Sequence, residues 1–167
     1  MNKKLFPFIF ASLFSMLTTA CGQKTTSLTK ENLEKASDIS FYTDNGTVAP
    51  DYHWGMTITV TPKQVNLQVV KGYDGKVAYN QTEQLTPDQY KLFIEKMDKL
   101  SIKKKKFKGP YTTGGSSEYL CVKQGPLKVF DANKEELHYQ GDLEAVFHDL
   151  LPEEMAQVFR HPDDLLR

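Results

Sequence analysis

The chain has 167 residues, with 21 Lys and Arg balanced by 21 Asp and Glu. A neutral chain of this kind lacks the clearly basic surface that nucleic-acid partners require, and two cysteines exclude a disulfide framework or a multi-cysteine metal site. The length suits one domain with a real core, and ten Phe, eight Tyr and one Trp can fill it.

The first element is a leader. Lys3 and Lys4 give a positive start, Leu5 to Leu17 is a short apolar run, and Leu17-Thr18-Thr19-Ala20-Cys21 closes it with small residues. Basic, apolar and small segments in that order are the plan of a secretory signal peptide. The run is too short for a transmembrane helix, which needs about 20 apolar residues. The segment resembles the signal of bacterial lipoproteins, although its leucine is at Leu17 and Thr18 holds the place three before the cysteine. The resemblance implies cleavage before Cys21, diacylation of that cysteine and a membrane partner reached through the lipid. Ordinary signal cleavage that leaves Cys21 free is the alternative. The resemblance further implies a cell-envelope address. With Gly22 rather than aspartate after the cysteine, that address is the outer membrane facing the periplasm in a Gram-negative cell.

Loss of residues 1–20 takes Lys3 and Lys4 with it, so the remaining chain is slightly acidic, near −2. Residues 21–37 read as the lipidated N-terminus and a polar tether. Within it Thr29 is placed to cap a short helix from Lys30 to Ala36, with Leu28 and Leu33 as a staple.

Residues 38–167 read as a single globular α+β domain. Ile39 to Tyr42 is a short strand. Tyr52, Trp54, Met56, Ile58 and Val60 then alternate with His53, Gly55, Thr57, Thr59 and Thr61, a period of two with one apolar face. His53 is expected on the exposed side and Trp54 in the core. Val65, Leu67 and Val69 repeat the pattern after Pro62-Lys63, and Val77 and Tyr79 follow the turn Gly72-Tyr73-Asp74-Gly75. This is an antiparallel meander. Leu85 to Leu100 is a helix with Thr86 and Gln89 as a capping box, Pro87 at its first position, and a stripe of Tyr90, Phe93, Ile94, Met97 and Leu100. A second strand set follows at Glu118 to Lys123, Leu127 to Asp131 and Glu136 to Gln140. Asp142 caps a helix, and Pro152 opens a last one that Pro162 ends. Strands, helix, strands and C-terminal helices combine most simply as an antiparallel sheet with helices packed on one face.

Few residues suggest chemistry. Cys121, between Leu120 and Val122, reads as a small buried residue on a strand. The run Lys103-Lys104-Lys105-Lys106-Phe107-Lys108 reads as a solvated edge, set apart from the anchor by the long helix. His53, His138, His148 and His161 form no ligand pair. Ser116 and Ser117 lack the G-x-S-x-G elbow, and no nucleophile comes with a base and an orienter. No cofactor is implied. The long loop Gly109 to Ser117 is the best binding candidate. Lys108 offers charge, Tyr111 a ring, and Gly114, Gly115 and Ser116 backbone donors for an anion. The threonine-rich face of Thr57, Thr59, Thr61, Asn66 and Gln68 stands next. The resulting expectation is a non-catalytic binding or accessory module with an envelope protein as partner. A ligand binder or enzyme inhibitor using residues 108–117 is the alternative, and a hydrolase ranks last.

Overall fold

A computed structural model describes residues 25–106, 115–133 and 135–166. The chain is an α+β fold with two antiparallel sheets. Strands β1 (Thr26–Ser27), β6 (Lys103–Lys106) and β9 (Glu135–His138) form a small sheet in the order β1-β6-β9. Strands β2 (Asp38–Asp44), β3 (Trp54–Val60), β4 (Gln64–Lys71), β5 (Lys76–Gln84), β7 (Glu118–Gln124) and β8 (Leu127–Asp131) form a six-stranded sheet in the order β5-β4-β3-β2-β7-β8.

The period of two decides the faces of the larger sheet. Ile39, Phe41, Met56, Ile58, Val60, Val65, Leu67, Val69, Leu120, Val122 and Phe130 are all buried on one side. Helix α2 (Pro87–Lys99) lays Phe93, Ile94 and Met97 on that side, and α3 (Leu143–His148) adds Leu143, Val146 and Phe147. The Phe147 ring stacks on Phe41 at 5.2 Å and meets the edge of Phe93 at 5.3 Å. Both expected caps form: Thr86 and Gln89 bond reciprocally, and Asp142 accepts from the Ala145 N–H. Helix α4 (Glu153–Arg160) buries Met155 and Ala156, and a 3-10 turn at Pro162–Leu166 ends the described chain. The opposite face is polar: the Ser40 and Thr59 hydroxyls lie 3.2 Å apart, and Asn66 donates to Asn80 and Thr82.

Three expectations change. Residues 25–37, read as tether, belong to the body. Thr29 does cap α1 (Lys30–Glu34), with Asn32 completing the box. However, Leu28, Leu33 and Ala36 enter the hydrophobic core, and β1 pairs with β6. A five-residue helix is marginal alone; burial of Leu33 is what holds it. The lysine run is also not an edge along its whole length. Strand β6 lies between β1 and β9, and the two-residue β1 pairs with its first half, Lys103 and Lys104. Third, β9 leaves the second strand set and pairs with β6 instead.

Candidate functional site

One end of the six-stranded sheet gathers its loops. Strands β2 and β3 are joined there by residues 45–53, and β4 and β5 by the turn at 72–75. Residues 115–117 enter β7 at the same end. Asn45 ties the first loop together, donating to the Tyr52 carbonyl at 2.7 Å and accepting from the Trp54 N–H at 3.0 Å. Tyr73 crosses to that loop: its hydroxyl donates to the Val48 carbonyl at 2.7 Å and accepts from the Val48 N–H at 3.2 Å. The C-terminal turn closes the side, with the Trp54 indole N–H donating to Asp163 at 2.8 Å.

His53 is therefore not the exposed member of its pair. It is 8% exposed, its ring stacks on Tyr73 at 4.1 Å, and Nδ1 lies 3.2 Å from the Gly72 carbonyl. Trp54 is only partly buried. Local alternation missed this because β3 starts at Trp54; His53 precedes the strand and follows the path of the loop.

Between these loops lies an open cleft of about 580 Å³, lined by Asp51, Lys71, Tyr73, Asp74, Lys76 and Leu166 among others. Two cations and two carboxylates surround a ring that is 57% exposed. Tyr52, in the neighbouring loop, is 68% exposed. The sequence carried a signal for this site in Gly72-Tyr73-Asp74-Gly75, a turn with a large aromatic at its tip. Among the described residues no group of three His, Cys, Asp or Glu is placed to hold a metal ion.

The loop expected to bind is partly visible. Cys21, Lys108, Tyr111 and Gly114 lie outside the described residues. Gly115 and Ser116 are exposed and run beside Gly46, where an added Cβ would meet the Gly115 oxygen at 2.5 Å. The carboxylate of Asp44 accepts the N–H of Gly46 at 2.8 Å and of Ser117 at 3.0 Å on one oxygen. Its other oxygen accepts the Tyr42 hydroxyl at 3.0 Å. Burial and this carboxylate push the Tyr42 phenol well above its ordinary range. The end of the loop thus already gives the Ser117 N–H to an internal anion.

On the polar face, Thr57, Thr59, Asn66 and Gln68 stand together in register. Thr61 does not join them functionally, because its hydroxyl closes the β3–β4 turn by accepting from the Gln64 N–H at 3.1 Å. Cys121 is buried as expected, but on this face rather than in the core: it is paired with Ser40 and Asp131. Burial, then the Asp131 charge, pushes its thiol up, against a smaller pull from Lys128 and Lys123. A thiol so raised is a poor nucleophile.

No protein-family model, no curated protein and no solved structure matches this chain.

Proposed function

We propose that the chain is a lipid-anchored envelope protein that acts by binding, with the loop end of its six-stranded sheet as the contact surface. The anchor is Cys21, after the basic, apolar and small-residue leader. Two or three acyl chains on one cysteine hold a body permanently, since each buried methylene contributes about 0.8 kcal/mol.

The observation that carries the binding role is the open cleft beside Tyr73. It has both signs of charge and an exposed ring, and it is open to solvent rather than enclosed. Such a surface suits a segment of another protein, with Tyr73 and Tyr52 as aromatic contacts and Lys71, Lys76, Asp51 and Asp74 as a polar rim. The nearby His53 supports the Tyr73 ring by stacking on it and lies against the Gly72 carbonyl.

Crosslinking in envelope extracts tests this. The wild-type chain is expected to retain a defined protein that the Lys71→Glu, Lys76→Glu pair loses, while the melting temperature stays within about 2 °C. Capture unchanged by the pair refutes the cleft. The anchor has its own test. Fatty-acid labelling is expected on the wild type and absent from Cys21→Ser; label that persists in the variant refutes it.

A further inference from the structure

The lysine strand pairs with the first strand of the described chain. Thr26 is opposite Lys104 and Ser27 opposite Lys103 in an antiparallel pair, continued by the Leu28 N–H donating to the Ile102 carbonyl at 2.9 Å. Traced back from Ser27 to Thr26, the chain therefore runs the same way as Lys103 to Lys104. Five residue steps separate Cys21 from Thr26, a reach of at most about 18 Å.

The two faces of β6 differ. Lys104 turns to the body, where it pairs with Glu135 at 2.9 Å, donates to the Asp131 carbonyl and lies 5.4 Å from the centre of the Phe130 ring. Lys103 and Lys105 project from the other face, as neighbours along a strand alternate. Lys103 is exposed and Lys105 half-exposed. Among the described residues neither has an ion-pair partner. Glu136, opposite Lys105, lies 3.3 Å from His138 instead.

We propose that this face, Lys103 and Lys105 on β6, docks on anionic lipid headgroups of the membrane that holds the anchor. The inference rests on the lipid-anchor reading for its geometry. Its physical content is that two ammonium groups, with no ion pair among the described residues and only the His138-bound Glu136 opposite them, stand within one short tether of a bilayer. Lysines so close to an anionic surface are attracted by about 1 kcal/mol each, and the attraction fades within a Debye length. The rest of the chain is slightly acidic, so attraction to anionic vesicles has to come from a local patch. Docking there fixes which side of the body faces the bilayer.

The test uses residues 21–167 carrying Cys21→Ser, which retain every described residue and need no acylation. Co-sedimentation is measured with vesicles of phosphatidylcholine alone or mixed with phosphatidylglycerol. Binding is expected only to the mixed vesicles, at about 0.05 M salt and not at about 0.5 M. The Lys103→Gln, Lys105→Gln pair is expected to lose about thirtyfold in partition, about fivefold per lysine. Lys103→Gln alone, at the exposed position, is expected to lose about fivefold and serves if the pair is unstable. A control pair, Lys30→Gln with Lys91→Gln, is expected to bind as the wild type does. No wild-type binding to the mixed vesicles overturns the proposal, as does equal loss in the control pair. Displacement by inorganic phosphate at constant ionic strength also overturns it, since the site is then one for a free ion. Because Cys21 is serine throughout, these outcomes are separate from fatty-acid labelling of the anchor.

Discussion

Replacing Leu33 by alanine separates a tether from a body. Leu33 is 1% exposed in the hydrophobic core, although it lies in a helix of five residues near the start of the described chain. The change removes three carbons, worth about 2.4 kcal/mol at 0.8 kcal/mol per buried methylene. The cavity left in the core raises the expected cost to about 3 kcal/mol. In urea, with a slope of about 2 kcal/mol per molar for a domain of this size, the midpoint falls by about 1.5 M at constant slope. Glu34→Ala, one position on, is the control: Glu34 is exposed and 3.7 Å from Lys30, so its loss costs at most about 0.5 kcal/mol. A Leu33→Ala effect as small as the control's would show that α1 does not belong to the folded unit.

Three further outcomes are expected. Gly46 has φ of +76° and would drive a Cβ to 2.5 Å from the Gly115 oxygen, whereas Gly75, at +72°, has open space around it. Gly46→Ala is therefore expected to cost about 2 to 3 kcal/mol by thermal melting and Gly75→Ala about 1; equal costs would refute the close approach. Burial pushes the Asp131 carboxyl up, but hydrogen bonds from Lys128 and the Asn133 backbone, with the Lys104 charge, outweigh it and hold the group below its ordinary 3.8. A depressed carboxyl stabilises above its unfolded value and loses that effect as pH falls through the folded one. Asp131→Asn should thus cost about 1 kcal/mol at neutral pH, and the gap should close in acid below the ordinary aspartate range; a gap that persists there counts against the assignment. Cys121 should react with a thiol reagent at least about a hundredfold more slowly in the folded chain than in urea, and similar rates would contradict its burial.

Elements whose signals are local were legible in the sequence. The Thr86–Gln89 box, the Asp142 cap and the alternation through Met56, Ile58 and Val60 each depend on neighbours within a few residues, and each forms as read. Lateral placement was not legible. Nothing near Lys103 says that its strand will receive a two-residue partner from the N-terminus, and nothing near Glu135 says that it will leave β8 for β6. The site divides the same way. Gly72-Tyr73-Asp74-Gly75 marks a turn with an exposed ring, but the Val48 and Asp163 contacts that shape the cleft come from distant segments. Cys121 shows the limit of periodicity: strand burial was readable, yet β2 and β8 flank it on a polar face and cover it there.

The β1–β6 pairing also sets a sequence of events during synthesis. Thr26 and Ser27 emerge among the first residues of the body, and their partners Lys104 and Lys103 arrive only after β5 and α2. The meander of β2 to β5 has short connections and can close early, while the small sheet must wait for a much longer loop to close. Until then Thr26 and Ser27 have no strand beside them. The N-terminal segment thus joins the fold only when β6 is in place, which makes a two-residue strand at the start of the body one of the last to be paired.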